Sequence, residues 1–168
     1  DTLFHSGHNL NIYVSEDNID YNYLNRMVLP YKNNNIENFL IFSFNFSDKV
    51  ALEIYSIVLD GLNIEKYLKE TLSKIEFEKI NTTVKTFSND VDISYIDDNN
   101  PLEDITKHIQ QNKPQMIYIE GIELKSLNAQ LNIFNTISKF TKLGIKFELG
   151  FVNADKESLQ LLNEMIIK

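Results

Sequence analysis

The stretch QMIYIEGIELKSLNAQLNIFNTISKFTKLGIKFELGFVNADKESLQLLN, residues 115–163, decides the fold, because its pattern predicts strand, helix, strand and helix without a break. The apolar run Ile117, Tyr118 and Ile119, just before Gly121, is typical of a buried interior strand. Open α/β sheets place their chemistry at the carboxyl ends of strands. The sequence has no phosphate-cradling glycine loop, nucleophile elbow or metal-ligand cluster at these ends. We therefore expect a binding module without cofactor or metal, and not an enzyme.

Shorter periodic segments upstream predict further strands and helices. Residues 1–9 are polar and are expected to fray, and the asparagines at 33–35 predict a loop. Asn63 is a helix-capping residue, as are Ser47 and Asp48, and Pro101 suits a helix start. The predicted strands are 10–14, 36–47, two pieces within 74–87, and 91–96, and the predicted helices are 21–31, 49–59, 64–73 and 101–112.

These elements together predict the fold class and a division of the chain. The fold class is α/β, a mixed open sheet with helices packed on it. We divide the chain into an N-terminal α/β region, 1–80, and a second region, 81–168. Two turn segments, VSEDNID at 14–20 and FSNDVD at 87–92, each precede a candidate helix and an apolar strand. This weak internal match leaves a duplication into two related halves open.

Composition limits the classes of partner and compartment. The net charge of -8 and the pI near 4.9 argue against nucleic-acid binding, which depends on clustered Lys and Arg. The absence of cysteine favours a reducing compartment, so we expect a cytoplasmic protein. The apolar runs are far shorter than the roughly 20 residues that span a bilayer, so no membrane insertion is expected.

The second region resembles a STAS domain, the fold of anti-sigma-factor antagonists, stressosome subunits and the cytoplasmic tails of sulfate transporters. The pattern that carries the resemblance comprises a strand and polar turn (TVKTFSND), a helix (PLEDITKHIQQN), a buried strand (MIYIEGI), a helix beginning near Ser126, a turn at Gly144, a strand (KFELGFV) and a last helix (DKESLQLLNEM). The resemblance implies a non-enzymatic protein in a signalling, regulatory or transport complex. Its partner would be a kinase, an ATPase or a transport-complex subunit, and homo-oligomerisation stays open.

One position departs from the STAS pattern. A serine at the start of the central helix accepts phosphate in that family, but the matching residue here is Asn128, which has no hydroxyl. Ser126 is better interpreted as the helix N-cap than as a displaced acceptor. The resemblance therefore implies partner binding without the usual phosphoryl switch. It places the partner-binding residues at the start of the central helix, at Lys125, Ser126, Asn128, Gln130 and Asn132.

The apolar residues of the central helix predict which face packs on the sheet. They form one broad face, most of which should be buried, and are Leu127, Leu131, Ile133, Phe134, Ile137, Phe140 and Leu143.

A second, weaker resemblance is to a degenerate EAL-type cyclic-dinucleotide phosphodiesterase. It is carried by polar residues near strand ends, namely Asn45, Glu78, Asp97, Asp98, Glu120 and Glu123. The chain is too short for the barrel of that family and lacks its EAL and DDFG-like segments, so an active member is not expected. We interpret the carboxylates as solvated turn residues rather than a catalytic pair.

The three histidines give weaker signals. His5 and His8 have a spacing that could supply two metal ligands, but a zinc site needs at least one more ligand, so we expect no metal there. His108 is interpreted as complementing its helix dipole.

Overall fold

The centre of the fold is a six-stranded sheet. The computed structural model describes residues 2–16, 39–59, 61–95 and 101–167. The strands are β1 (Thr2–Ser6), β2 (Leu10–Ser15), β3 (Phe39–Ser43), β4 (Val91–Tyr95), β5 (Met116–Glu120) and β6 (Lys146–Val152). They lie in the order β1-β2-β6-β5-β3-β4. β1 pairs antiparallel with β2, whereas all other neighbouring pairs are parallel.

Helices pack on both faces of this sheet. They are α1 (Asp48–Leu59), α2 (Ile64–Leu68), α3 (Lys74–Asp90), α4 (Pro101–Asn112), α5 (Leu127–Lys142) and α6 (Lys156–Ile167). The first three cover the sheet face that carries Ile41 and Tyr118. The last three cover the opposite face, which carries Ile117 and Ile119. The predicted α/β fold, a mixed sheet with helices packed on it, is confirmed.

β5 is the interior strand that the sequence predicts. It lies between β6 and β3, and all five of its residues are buried. Alternate side chains enter the two opposite cores, which explains its almost continuous apolar sequence. β2, β3, β4 and β6, together with α1, α4, α5 and α6, also lie within the predicted segments to within a few residues.

The largest error of the sequence analysis concerns residues 74–87, where two strands were predicted. The segment belongs to a single helix, α3 (Lys74–Asp90), which also takes the place of the strand and polar turn TVKTFSND in the STAS pattern. Ser73 and Glu76 form a capping box, because the Glu76 amide donates to Ser73 Oγ at 3.2 Å and the Ser73 amide donates to Glu76 Oε1 at 3.1 Å. Ile80 and Val84, one turn apart, pack into the core beside α1. The alternation of apolar and charged residues in IEFEK suggested a strand, but the cap and this spacing decide the outcome.

The N-terminal prediction is also wrong in part. Residues 2–6 form β1, and Gly7 closes the turn to β2 by donating its amide to the Leu10 carbonyl at 2.8 Å. The helix predicted at 64–73 ends at Leu68, with Asn63 as the predicted cap. The helix predicted at 21–31 and the loop at 33–35 lie outside the described residues. None of the described helices is long and apolar enough to cross a membrane.

The division of the chain at residue 81, and the duplication that could explain it, stay predictions. The sheet itself is continuous across both regions, since β4 pairs with β3 and residue 81 lies inside α3.

The connections that follow β3 and β5 leave the sheet on opposite faces. From β3 the chain enters α1 on one face, whereas from β5 it passes through a 3-10 helix (Ile122–Leu124) into α5 on the other. Neighbouring parallel strands whose connections leave on opposite faces form a topological switch point, and their carboxyl ends form the crevice where α/β proteins bind ligands. A ligand-binding site is therefore expected at the carboxyl ends of β3 and β5.

Candidate functional site

A buried polar cluster occupies the switch point between β3 and β5. Ser43 and Glu120 are register partners at the ends of these strands. Ser43 Oγ donates to Glu120 Oε1 at 2.5 Å, and the Phe44 amide donates to the Glu120 carbonyl at 3.0 Å. Ser43 Oγ also accepts the amides of Asn45 and Phe46 at 3.2 and 3.0 Å, so one serine fixes both the turn after β3 and the carboxyl on β5.

Glu120 is the fully buried carboxyl of this cluster. It is 0% exposed, and burial raises its pKa to about 7, although hydrogen bonds from Ser43 and Tyr55 favour the ionised form. Asn45 lies close enough to favour ionisation too, but its Nδ2 makes no well-formed hydrogen bond to a described residue. Glu120 Oε2 is likewise without a hydrogen-bond partner among the described residues. With a pKa of about 7, Glu120 changes its protonation state near neutral pH.

Glu123 ties the same edge to the next strand. Its Oε1 accepts the Val152 amide at 2.9 Å, at the end of β6. Burial raises the pKa of Glu123 to about 7, and its charge in turn raises the pKa of Glu120. The two carboxyls therefore oppose each other's ionisation, and together they connect the ends of β3, β5 and β6.

Gly121 closes the crevice above Glu120. Its φ of +82° is in the left-handed region that favours glycine. A Cβ there would lie 2.9 Å from Phe44 Cβ, so the turns after β3 and β5 are in direct contact. Lys125 covers Phe44 from outside, with Nζ 4.6 Å from the ring centroid. Ser43 and Glu120, the strand ends that precede these turns, are both 0% exposed.

The structure brings together three of the six residues that carry the EAL resemblance. Asn45, Glu120 and Glu123 meet at the switch point, whereas Glu78 is exposed on α3. Asp97 and Asp98 lie outside the described residues. The interpretation of these carboxylates as solvated is wrong for Glu120, which is 0% exposed and lies between β3 and β6 in the sheet. Within the described part of the chain, no group of three or more His, Asp or Glu side chains is arranged to hold a metal ion.

The start of α5 carries the residues predicted to bind a partner. Ser126 is the N-cap, as expected, since its Oγ accepts the Ala129 amide at 3.2 Å. Asn128 and Asn132 are exposed, and Lys125 is half-buried. Gln130 is only 2% exposed and donates its side-chain amide to the Lys125 carbonyl at 2.8 Å. Gln130 therefore offers no accessible surface, and the partner-binding role of the other four stays a prediction.

Most of the predicted apolar face packs on the sheet, but three of its leucines are exposed. Leu127 and Leu131 are each 42% exposed, and Leu143 is 69% exposed. Leu124, in the preceding 3-10 helix, is 60% exposed. Burial is achieved instead by Ile133, Phe134, Ile137 and Phe140. The apolar residues of α5 span more of the helix circumference than one sheet face can cover, so the excess leucines face outward.

A second buried carboxyl was missed by the sequence analysis. Glu148 in β6 is 4% exposed, and its Oε1 accepts from Asn11 Nδ2 at 3.0 Å. Burial raises its pKa, partly opposed by Asn11 and Tyr13. Glu148 lies opposite Tyr118 in the register. Its place between Phe147 and Leu149 in an apolar strand was the available signal.

The histidines do not join either cluster. His5 lies in β1, and His8 is exposed in the turn that follows. The His108 ring meets the Phe42 ring edge-on, with centroids 5.6 Å apart, so it packs against the core.

Comparison with known proteins gives no match: neither a family model nor a curated protein matches this chain.

Proposed function

We propose that this chain is a non-enzymatic regulatory or scaffold protein, STAS-like, that acts through a protein contact at the start of α5. The observation that carries the proposal is the exposure of Leu124, Leu127 and Leu131. Leu127 and Leu131 are four residues apart and therefore adjacent on one helix face. Neighbouring exposed leucines are a common feature of protein-interaction surfaces.

In the part of the chain that the structure describes, the exposed apolar residues of α3 do not form such a face. Ile75 and Phe77 are 78% and 47% exposed at the start of α3. They are two residues apart, so they point to different sides of the helix. The leucines of α5 also adjoin Ser126 and Asn128, the region implied by the STAS resemblance.

Asn128 makes the proposed contact constitutive. It is exposed in the first turn of α5, where backbone N–H groups lack intrahelical partners and favour acidic or hydrogen-bonding groups. Without a hydroxyl, this position cannot be switched by phosphorylation. A negative charge there should repel the same groups that the helix start attracts.

A comparative capture experiment tests the proposal. The wild-type chain, Asn128→Asp and Leu127→Asp are immobilised and exposed to a lysate of the source organism, with Ile75→Asp as the control at another exposed apolar site. We expect at least one protein retained by the wild type and by Ile75→Asp to be lost with both α5 variants. Circular dichroism should show that all four proteins are folded. Equal retention by all four would refute the proposal.

One observation favours a second candidate, a degenerate EAL-type relative that binds a ligand without turning it over. Asn45, Glu120 and Glu123 converge at a switch point, where open α/β sheets bind ligands. Calorimetric titration with a cyclic dinucleotide and magnesium tests this candidate. Binding that disappears in Glu120→Gln would favour it. We expect neither binding nor hydrolysis, because the carboxyl is enclosed.

A further inference from the structure

The segment around α5 differs in charge from the rest of the molecule. The sequence contains 24 acidic residues, yet none lies between Leu124 and Phe147, a segment that includes Lys125, Lys139 and Lys142. The first turn of α5 has no acidic residue, although helix starts favour them, and its last turn carries two lysines. Among the helices that the structure describes, α5 is therefore the one without carboxylates.

The exposed residues of α5 form one continuous face. At 100° per residue, its outward side chains fall within an arc of roughly 140°, opposite the buried ones. The members of this outward face, all exposed, are Leu127, Asn128, Leu131, Asn132, Asn135, Lys139 and Lys142. The leucines lie in the first half of the helix and the lysines in the last turn. At 1.5 Å per residue, Leu131 and Lys139 are about 12 Å apart along the axis, and Leu127 and Lys142 about 22 Å apart.

We propose that the outward face of α5 binds an acidic amphipathic helix of the partner protein. This inference rests on the proposed function and names the chemistry of its partner. Apolar side chains at one end of the partner helix would cover Leu127 and Leu131. Carboxylates about two to four turns away would meet Lys139 and Lys142, and the asparagines between them accept either donors or acceptors.

Charge distinguishes this occupant from three others. In a symmetric dimer formed through this face, a second copy of the chain would present the same lysines and no carboxylates. A nucleic acid would meet a protein with a net charge of -8. A lipid surface favours a helix with a continuous apolar face, whereas here two asparagines and two lysines interrupt the exposed residues between Leu131 and Leu143. An acidic amphipathic helix matches both the leucines and the lysines of this face.

Selection from a peptide library tests the partner chemistry without knowledge of the partner. The library displays amphipathic helices with fixed leucine-type anchors, and its remaining positions vary among Glu, Lys, Gln and Ser. It is selected on the whole wild-type chain and counter-selected on a Leu127→Asp, Leu131→Asp double variant. Binding of the enriched peptides is then measured with Lys139→Glu, Lys142→Glu. Lys74→Glu, Lys79→Glu provides the same charge change at exposed sites on α3.

We expect enriched peptides to be rich in Glu beyond the anchors. Their affinity should fall about tenfold or more with the α5 lysine reversals, and far less with the α3 reversals. Basic or neutral peptides, or acidic ones insensitive to the α5 lysines, would overturn the inference but leave the proposed function intact. Failure to enrich any peptide would also overturn it, whereas the capture experiment separately decides the proposed function. Lysine-dependent binding to single-stranded RNA or to anionic vesicles, with no such peptide binding, would assign the face to another partner and overturn it.

Discussion

Replacing Glu120 by Gln should remove a large pH dependence from the stability of the fold. The carboxyl is 0% exposed, and burial raises its pKa from 4.5 to about 7. Between these values the folded chain keeps a proton that the unfolded chain has released. Stability is therefore fully present below pH 4.5 and is lost as the pH rises towards 7. Glutamine keeps a side-chain oxygen for the Ser43 hydroxyl but cannot ionise.

The magnitude follows from that difference in pKa. A tenfold change in proton affinity corresponds to about 1.4 kcal/mol, so ionising Glu120 in the folded state costs about 3 kcal/mol in total. The pI near 4.9 makes measurements in that range prone to precipitation. Between about pH 5.5 and about pH 8, ionisation of Glu120 should lower the free energy of unfolding of the wild-type chain by about 2 kcal/mol.

Urea unfolding followed by circular dichroism gives the free energy of unfolding at each pH. We expect Glu120→Gln to gain about 2 kcal/mol relative to wild type between the two pH values. Glu78→Gln, which removes an exposed carboxyl on α3, should show no such gain. If the difference in unfolding free energy between Glu120→Gln and wild type changes with pH as little as it does for Glu78→Gln, the pKa of Glu120 is not raised by burial.

Two further substitutions test the turns around the same cluster. Gly121→Ala should cost roughly 3 kcal/mol in urea unfolding, because the new methyl group would lie 2.9 Å from Phe44 Cβ, while Gly144→Ala should cost only about 1 kcal/mol, because its φ is also positive but nothing lies within 4 Å. Equal losses would show that the crevice is not closely packed. Ser43→Ala should cost about 2 kcal/mol and steepen the loss of stability with pH, because Ser43 Oγ donates to Glu120 and accepts two backbone amides. If stability changes with pH in Ser43→Ala as it does in the wild type, the Ser43 hydrogen bond does not affect the ionisation of Glu120.

The sequence predicts elements well where cap and periodicity agree. At α5, Ser126 caps the start, Gly144 follows the end with a φ of +91°, and the apolar spacing is helical throughout. At α3 the signals conflict, since IEFEK alternates like a strand while Ser73 and Glu76 form a capping box. The segment is helical, as the capping box indicates, and not a strand as the short alternation suggested.

The polar cluster was harder to predict, because burial depends on contacts between distant segments. Ser43 and Glu120 are 77 residues apart in sequence and become neighbours only when β5 pairs with β3. Glu120 follows an apolar strand and precedes a glycine, a pattern that suits an exposed turn equally well. The exposure of the α5 leucines was also not predicted, because apolar periodicity does not show which part of a wide apolar helix face the sheet will cover.

Site-specific photo-crosslinking tests the central claim most directly. A photoreactive phenylalanine analogue is placed at Leu131, in the outward face of α5, or at Ile75, which is more exposed but lies on α3. After irradiation in the source organism, our account predicts a discrete adduct of higher mass with the probe at Leu131 and none with the probe at Ile75. The absence of an adduct at Leu131, or the same adduct from both positions, would contradict the claim that α5 is the interaction surface.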